Sequence, residues 1–387
     1  MEGSYKFLMD LVVVLVAANI GGYLMKKMNQ SMVLGQIIAG LIVGPAVFGI
    51  VHETEFIKNV AEIGVLLLMF SAGLETELED LKASGKSASL IAIGGVIVPL
   101  VLGALSVMAF QQNADFKEAI FVGIILTATS VSLTVQVLRE IGKLRTKVGI
   151  GILSAAVIDD VIGILLVTLA VSTFGGGHTS ILMVIVKIVV FFALLSGFGY
   201  VFSKLFRKYS DFFRRENLIL PTAAIMCFVM AIAAEEFGVA AIIGSYFMGV
   251  IFSTTSHRAR IEKEMQSVAG TIFTPVFFVN VGLTVSFSNM GGNMVLIIAI
   301  LIASIIGKLL GCGLTAKMTG FTNRESLQIG IGMIPRGEVG LIVANLGLQM
   351  HLIGQDIFAA SILVVVVASI VTPIFLKISF KEKKEIA

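Results

Sequence analysis

Two adjacent acids, Asp159 and Asp160, lie near the middle of a long apolar segment, residues 148–174. A carboxylate at the centre of a membrane costs about 2.5–3.5 kcal/mol, so two of them are costly to keep without a role. Neighbouring positions of a helix point about 100° apart, so the two side chains should face different partners. Repulsion between close carboxylates favours proton binding by one of them. The pair predicts a site where protons and cations compete, and the alternative is an inert, hydrogen-bonded packing pair.

Lys308 is a further charge in the middle of an apolar segment, residues 292–316, too deep for its ammonium to reach either surface easily. An amine at this depth needs a partner of opposite charge, and the two aspartates are the candidates. We therefore expect Lys308 to pair with one of them, either as part of an ion site or as a purely structural salt bridge.

Two apolar segments contain residues that interrupt a helix. Thr129 and Ser130 lie in ILTATSVSLTV (residues 125–135), and Pro335 lies between glycines in GIGMIPRGEVG (residues 330–340). Proline removes an amide donor, and unwound backbone at membrane depth is tolerated only inside protein or against water. Such breaks expose carbonyls to a cation, which makes Thr129 and Ser130 candidate ligands. Alternatively, their hydroxyls bond back to the preceding turn of an intact helix.

The second break also carries two charges, Arg336 and Glu338. An arginine near the C-terminal ends of half-helices would offset their partial negative charge. A structural or gating role for Arg336 fits the pattern as well as contact with the ion does. Glu75, at the end of the apolar segment 57–75, is expected to be a solvated end charge.

The composition is that of a membrane protein, because 57% of the 387 residues are hydrophobic, 14% are charged and the mean hydropathy is +1.00. The apolar runs do not alternate, so they predict helices rather than barrel strands. We predict an all-α polytopic membrane protein with about 13 transmembrane helices. The predicted spans are 4–25, 31–50, 57–75, 87–111, 116–138, 148–174, 180–206, 216–236, 238–253, 265–286, 292–316, 324–349 and 353–376.

The basic residues give this topology an orientation. With thirteen spans, the loops on one side hold 22 of the 28 Lys and Arg residues, the other side holds three, and three lie within spans. The basic side is expected to be cytoplasmic, so the N-terminus is predicted outside and the C-terminus inside the cell membrane. Merging the two spans at Gly238 would disturb this pattern, so we expect a turn there.

Glycines recur along the chain at one offset of 209 residues, which predicts an internal repeat. The offset covers seven predicted spans, an odd number, so the two six-helix copies should be inverted in the membrane and joined by a linker helix. Inverted repeats are typical of secondary transporters, with substrate sites near the membrane midplane. The matches are Gly35 with Gly244, Gly40 with Gly249, Gly73 with Gly282, and Gly123 with Gly332.

Several other classes of protein are disfavoured. The net charge of +3 is small and scattered, which argues against nucleic acid as a partner. No GxxxxGK[ST] motif occurs, so no nucleotide-binding domain is expected on this chain. No nucleophile–base constellation is evident, so an enzyme is not expected. No cofactor is predicted, and Na⁺ or K⁺ and H⁺ would be transported ligands.

At these motifs the chain resembles the cation:proton antiporter-2 family, in particular the sodium/proton–potassium antiporters of bacilli that act in spore germination. The resemblance implies a homodimer of thirteen-helix chains and two crossed, discontinuous helices in a core that moves like an elevator. The matching segments are LGQIIAGLIVGP (34–45), IGVLLLMFSAGLE (63–75), TATSVSLTVQVLRE (127–140), AAVIDDVIG (155–163), IIGSYFMGVIFS (242–253), FFVNVGL (277–283) and IPRGEVGLI (334–342).

The resemblance also implies roles for single residues. Asp160 is the expected carboxylate for cation and proton, Asp159 the expected partner of Lys308, and groups near Thr129 and Ser130 help to coordinate the ion. The family pattern of two aspartates and a lysine is associated with electrogenic exchange. Potassium efflux members often have Gln where this chain has Arg336.

The resemblance implies a division of the chain into parts. The implied parts are 1–56 and 211–262 for dimerisation, 57–176 and 263–379 for the transport core, 177–210 for the linker helix, and 380–387 for a cytoplasmic tail.

We therefore expect an antiporter that exchanges Na⁺ for H⁺ across the cytoplasmic membrane, with K⁺ and Li⁺ as further candidate cations. The alternatives are a K⁺/H⁺ antiporter or a gated K⁺ efflux pathway of the same family. A passive cation channel and an organic-anion symporter on a related fold are further hypotheses, and the buried acids disfavour an anionic substrate.

Overall fold

The computed structural model describes residues 5–111, 114–174, 181–209, 216–285 and 293–381. All regular elements in these ranges are helices. They are α1 (Lys6–Lys27), α2 (Met32–Val43), α3 (Glu55–Glu75), α4 (Leu78–Phe110), α5 (Phe116–Ile125), α6 (Val131–Glu140), α7 (Lys147–Phe174), α8 (Ile181–Lys208), α9 (Ile219–Glu236), α10 (Ala241–Ser253), α11 (Arg258–Val268), a π-helical turn (Ala269–Phe273), α12 (Thr274–Leu283), α13 (Met294–Met318), α14 (Asn323–Gly332), α15 (Glu338–Gln349) and α16 (Gln355–Phe380).

Within the described ranges, nine helical segments are long and apolar enough to cross a membrane. The all-helical, multispan fold is thereby confirmed, while the count of thirteen stays a prediction because the other predicted spans contain shorter or broken helices. The nine are Lys6–Lys27, Glu55–Glu75, Ala83–Phe110, Lys147–Phe174, Ile181–Phe206, Ile219–Glu236, Arg258–Leu283, Met294–Met318 and Gln355–Phe380.

Local sequence signals set several helix ends. The Ser31 hydroxyl accepts a hydrogen bond from the Val33 amide and caps α2. Thr322 and Glu325 form a reciprocal capping box at the start of α14. Gly238, with a φ of 74°, lies in the turn between α9 and α10, so the chain breaks where the charge pattern required a turn.

Helix packing divides the described helices into two groups. In the core group, α4 packs along α13, and α5, α6, α7, α14, α15 and α16 surround this pair. In the flanking group, α3 packs on α10 and α12, together with α1, α2, α9 and α11. Helix α8 contacts α7 of the core group and α10 of the flanking group. The two groups also contact each other directly, because α16 packs on α2 and α6 packs on α3.

This grouping differs from the predicted parts of the chain. Boundaries at residues 57 and 263 assign α3 and α12 to the transport core. In the structure, α3 instead packs mainly on α10, and α12 mainly on α2, both in the flanking group. Small residues explain the preference, because glycines on α3 and α10 allow their backbones to touch.

Two close approaches between helix backbones are related to each other by the predicted offset of 209 residues. A Cβ atom on Gly40 would lie 2.1 Å from the Val279 carbonyl oxygen, and one on Gly249 would lie 2.1 Å from that of Phe70. Gly249 follows Gly40, and Val279 follows Phe70, by the same 209 residues. Each glycine is therefore needed where two helix backbones meet.

Within the core group, the offset between α4 and α13 is still 209 residues, but that between α5 and α14 is two residues shorter. A Cβ atom on Gly123 would lie 2.4 Å from the Leu100 carbonyl oxygen, and one on Gly330 would lie 2.6 Å from that of Leu309. Leu309 follows Leu100 by 209 residues, but Gly330 follows Gly123 by 207. By this contact the counterpart of Gly123 is Gly330, two residues before the Gly332 of the sequence match, and the repeat itself stays a prediction.

The substitution Gly249→Ala is expected to destabilise the protein by roughly 1–3 kcal/mol, because the added methyl group meets backbone rather than a movable side chain. The control is Gly197→Ala in α8, where a Cβ atom has no neighbour within 4 Å. Thermal unfolding of the purified variants in detergent measures both. Equal unfolding temperatures for the two variants would contradict the packing described here.

Candidate functional site

Two broken helices cross inside the core group. Helix α5 ends at Ile125 and α6 begins at Val131, while α14 ends at Gly332 and α15 begins at Glu338. The unwound stretches meet where the Ser130 amide donates to the Pro335 carbonyl oxygen at 2.9 Å. Both interruptions lie in the segments that the sequence indicated. The crossing brings backbone carbonyls and hydroxyls into the protein interior, where a cation can use them.

Asp159 and Lys308 form a buried ion pair beside this crossing. The Lys308 ammonium lies 2.7 Å from Oδ1 and 2.9 Å from Oδ2 of Asp159, and the two residues are 0% and 2% exposed. The Thr129 hydroxyl donates to Asp159 Oδ2 at 2.8 Å. The structure therefore joins α7, α13 and the α5–α6 break at one carboxylate. Desolvation makes such a pair costly to break, because either partner alone would be a buried unpaired charge.

Asp160 is the next residue of α7 and is only partly buried. Its position on the helix turns it about 100° away from Asp159. The site thus holds one carboxylate neutralised by a lysine and a second carboxylate with partial access to its surroundings.

Arg336 is 1% exposed and lies between the ends of the two half-helices. Its Nη2 donates to the Leu126 carbonyl oxygen at 2.6 Å, and Nη1 donates to that of Ile334 at 3.2 Å. Leu126 follows the last residue of α5, and Ile334 follows the end of α14. A single guanidinium therefore donates hydrogen bonds at the C-terminal ends of both helices, where the partial charge is negative, and its role in transport stays a prediction.

Gly337 lies opposite Ser130 at the crossing. A Cβ atom on Gly337 would be 2.6 Å from Ser130 Oγ and 2.7 Å from Ser130 Cβ, which is closer than such atoms approach. The Ser130 hydroxyl also lies 3.2 Å from that of Ser132. The crossing has no room for a side chain at position 337.

The substitution Gly337→Ala is expected to separate the two breaks and cost roughly 1–3 kcal/mol, with a larger loss of transport than of stability. Gly340→Ala in α15 is the matched control, because the nearest atom to its Cβ would be 3.9 Å away, in ordinary contact. Unfolding temperature and ion exchange in proteoliposomes measure the two effects. Transport by the Gly337 variant at the rate of the control would show that the crossing tolerates the methyl group.

A cavity of about 330 Å³, which we call the vestibule, opens between the flanking and core groups. It reaches Gly337 at the crossing from the end of the molecule where α3 begins. Carboxylate, amide, amine and hydroxyl side chains line this cavity. These residues are Glu53, Lys58, Glu62, Asn280, Thr284 and Asn345.

The opposite end of α3 is closed by an ionic network, which comprises Glu75, Arg139, Arg145, Glu262 and Gln266. Arg139 Nε lies 2.7 Å from Glu75 Oε1, and Arg145 Nη2 lies 2.8 Å from both oxygens of Glu262. The Glu75 side chain is 9% exposed and accepts a further hydrogen bond from Gln266 at 3.1 Å. The network ties α6 and the α6–α7 loop to the flanking group.

Glu140 at the end of α6 forms a second link between the core group and the flanking group at this end. Its Oε2 accepts hydrogen bonds from the Ser31 hydroxyl at 2.6 Å and from the Met32 amide at 3.0 Å, at the start of α2. Burial raises the pKa of the Glu140 carboxyl above its usual value, and the bond from Ser31 partly opposes that rise.

The expectation that Glu75 is a solvated end charge is wrong, because α6 and α11 cover it with Arg139 and Gln266. Sequence reasoning also missed Glu140. Both are acids at helix ends, and their partners are far away in the chain, so no local pattern marks them. The Glu338 side chain lies outside the described part of the structure, and its role stays a prediction.

The fold is that of a membrane ion exchanger. The chain belongs to the family described as "Sodium/hydrogen exchanger, transmembrane", whose model matches residues 12–382.

Among its relatives is the Na(+)/H(+)-K(+) antiporter GerN of Bacillus cereus, 38% identical over 382 residues that cover 98% of each chain. The probable Na(+)/H(+) antiporter GerT of the same organism is 40% identical over 371 residues, which cover 96% of this chain and 98% of that one. A Na(+)/H(+) antiporter of Enterococcus hirae is 33% identical over 375 residues, or 96% of this chain and 97% of the other.

The solved structure of the sodium proton antiporter MjNhaP1 from Methanocaldococcus jannaschii at pH 8 has the same fold. It matches with a TM-score of 0.70 and 18% identity over 97% of this chain and 96% of that chain. The resemblance to this family, first indicated by sequence motifs, is therefore confirmed.

Proposed function

We propose that this protein exchanges Na⁺ for H⁺ across the cytoplasmic membrane, with K⁺ or Li⁺ as further substrates. One observation carries the proposal: a partly buried carboxylate, Asp160, lies beside the buried pair of Asp159 and Lys308 at the crossing of two broken helices. The protein is a secondary transporter and not an enzyme, and the cations are its substrates rather than cofactors.

The site suggests how one carboxylate serves both ions. Deprotonated Asp160 binds a cation, with oxygens near Thr129 and Ser130 as further ligands, and protonated Asp160 has no charge left to hold it. Binding of one ion therefore excludes the other. The pair of Asp159 and Lys308 keeps a second carboxylate charged within the same site, and release of the lysine would let that carboxylate contribute as well.

Alternating access requires the site to face one side at a time. The vestibule reaches the crossing at one end of the two groups, while the ionic network joins them at the other. This arrangement supports an elevator movement in which the core group slides past the flanking group. By the predicted topology the vestibule faces outward, with the N-terminus outside and the C-terminus in the cytoplasm.

The same proposal includes the finer architecture. The matching glycine contacts support two inverted repeats within about thirteen spans, and the likeness to the exchanger family supports a homodimer. The name of the relative GerN includes K⁺, which favours K⁺ as an additional substrate here. A role in germination of spores is proposed on the same resemblance.

Exchange in proteoliposomes tests the function directly. With a pH-sensitive dye inside the vesicles, external Na⁺ should drive protons out, and the direction should reverse when either gradient is reversed. Titrating Na⁺, K⁺ and Li⁺ gives their order and separates Na⁺/H⁺ from K⁺/H⁺ exchange. Cation flux without proton counterflow would refute antiport and favour the gated efflux pathway.

The ionic network offers a separate test of the closed end. The substitution Arg139→Gln removes the bond to Glu75, so hydrogen exchange should quicken severalfold in the last turns of α3 and α6 and stay unchanged in α15. Arg260→Gln is the matched control, because Arg260 pairs with Glu264 inside α11 and joins no two groups. Equal exchange in both variants would show that the network does not hold the groups together.

A further inference from the structure

A second cavity, of about 860 Å³, lies between α8 and α10, away from the ion site. Its deeper part is lined by apolar side chains of both helices, including Phe192, Leu195 and Phe247. Its other end carries Lys204 and Lys208 from α8 and the Thr254 hydroxyl at the end of α10. The cavity is therefore apolar at one end and basic at the other.

The length of the cavity along α8 matches the thickness of one leaflet of a bilayer. Lys204 follows Phe192 by 12 residues on α8, which corresponds to about 18 Å along the helix. Half of a hydrocarbon core is about 15 Å thick, so the two lysines lie at headgroup level when the apolar end lies near the midplane. Helix α8 also has strongly exposed apolar side chains, such as Leu182 and Val189, as expected for a helix that faces lipid.

Neither lysine forms an ion pair with a carboxylate among the described residues. The Lys208 ammonium lies 5.4 Å from the centroid of the Tyr209 ring. Lysines that end a membrane helix often extend into water, but these two border a cavity to which the end of α10 contributes the Thr254 hydroxyl. A negatively charged headgroup would complement them.

We propose that this cavity binds an anionic phospholipid, with one acyl chain between α8 and α10 and the phosphate between Lys204, Lys208 and Thr254. The bound lipid would hold α8 against α10 of the flanking group. Because α8 also contacts the core group, the lipid lies next to the group that is proposed to move. The lipid would come from the leaflet whose headgroups lie at the level of the two lysines.

Native mass spectrometry of the detergent-purified protein, titrated with phosphatidylglycerol or phosphatidylcholine, tests the proposal without a transport measurement. Wild type should retain phosphatidylglycerol preferentially. Lys204→Gln together with Lys208→Gln should weaken its binding about thirtyfold, since each lysine near an anionic headgroup contributes about fivefold. Ser203→Trp, which fills the cavity without changing its charge, should abolish retention, and its unfolding temperature shows whether it folds.

The control is the double substitution Lys26→Gln and Lys27→Gln, which removes the same charge at the end of α1. It should bind phosphatidylglycerol as wild type does. Equal binding of the two lipids, or an equal loss in the control, would overturn the proposal. Conversion of a dimer to monomers by Ser203→Trp, with lipid binding unchanged, would overturn it as well and assign the cavity to a second copy of the chain.

Discussion

Asp160→Asn is expected to abolish exchange, reducing Na⁺-dependent proton efflux from proteoliposomes to the rate of protein-free vesicles. The amide keeps the size of the side chain but can neither bind a proton nor present a negative charge to a cation. Because Asp160 is only partly buried, the fold should persist, and the unfolding temperature should change little.

Asp80→Asn provides the matched control, because Asp80 is an exposed acid in the first turn of α4, outside the site. It should transport like the wild type. If the Asp160 variant still moves protons in response to a cation, Asp160 is not the carboxylate that binds the transported ions. Asp159 would then be the candidate for that role.

Lys308→Met should have the largest effect on stability. It leaves Asp159 as a buried charge without a cation, and breaking a buried pair in this way costs about 3–5 kcal/mol. Thermal unfolding in detergent, compared with wild type at the same pH, measures the loss. Transport is expected to fall as well, because Asp159 is then free to compete for the ions.

The double variant Lys308→Met with Asp159→Asn tests the pairing itself. Removing both charges should recover most of the lost stability, because neither member of the pair is left charged without the other and Asn can still accept the hydrogen bond from Thr129. A double variant as unstable as the single one would mean that Lys308 stabilises the protein through contacts other than Asp159.

The sequence predicted the central residues because their energetic cost is visible without coordinates. Acids and an amine in the middle of apolar segments require partners, and a proline among glycines requires an interruption. These arguments identified Asp159, Lys308 and the two breaks, while their assembly into one site was implied by the family resemblance. They could not assign Lys308 to Asp159 rather than Asp160, since that choice depends on which face of α7 meets α13.

Other features depend on packing that one sequence does not display. The position of α3 in the flanking group follows from Gly73 and Gly249, whose backbones approach across different helices. The covered state of Glu75 follows from Arg139, 64 residues away in the chain. Glycine spacing predicted an offset of 209 residues. The offset of 207 residues between α5 and α14 is visible only in the contacts of Gly123 and Gly330.

Arg336 has a consequence for the membrane potential. With Asp159, Asp160 and Lys308 it makes four buried or partly buried charges that sum to zero when both acids are ionised and the site is empty. Loading with either one Na⁺ or one H⁺ makes this set singly positive. A one-for-one exchange would then carry no net current, whereas exchange of two protons for one Na⁺ would let each 100 mV contribute about 2.3 kcal/mol per turnover.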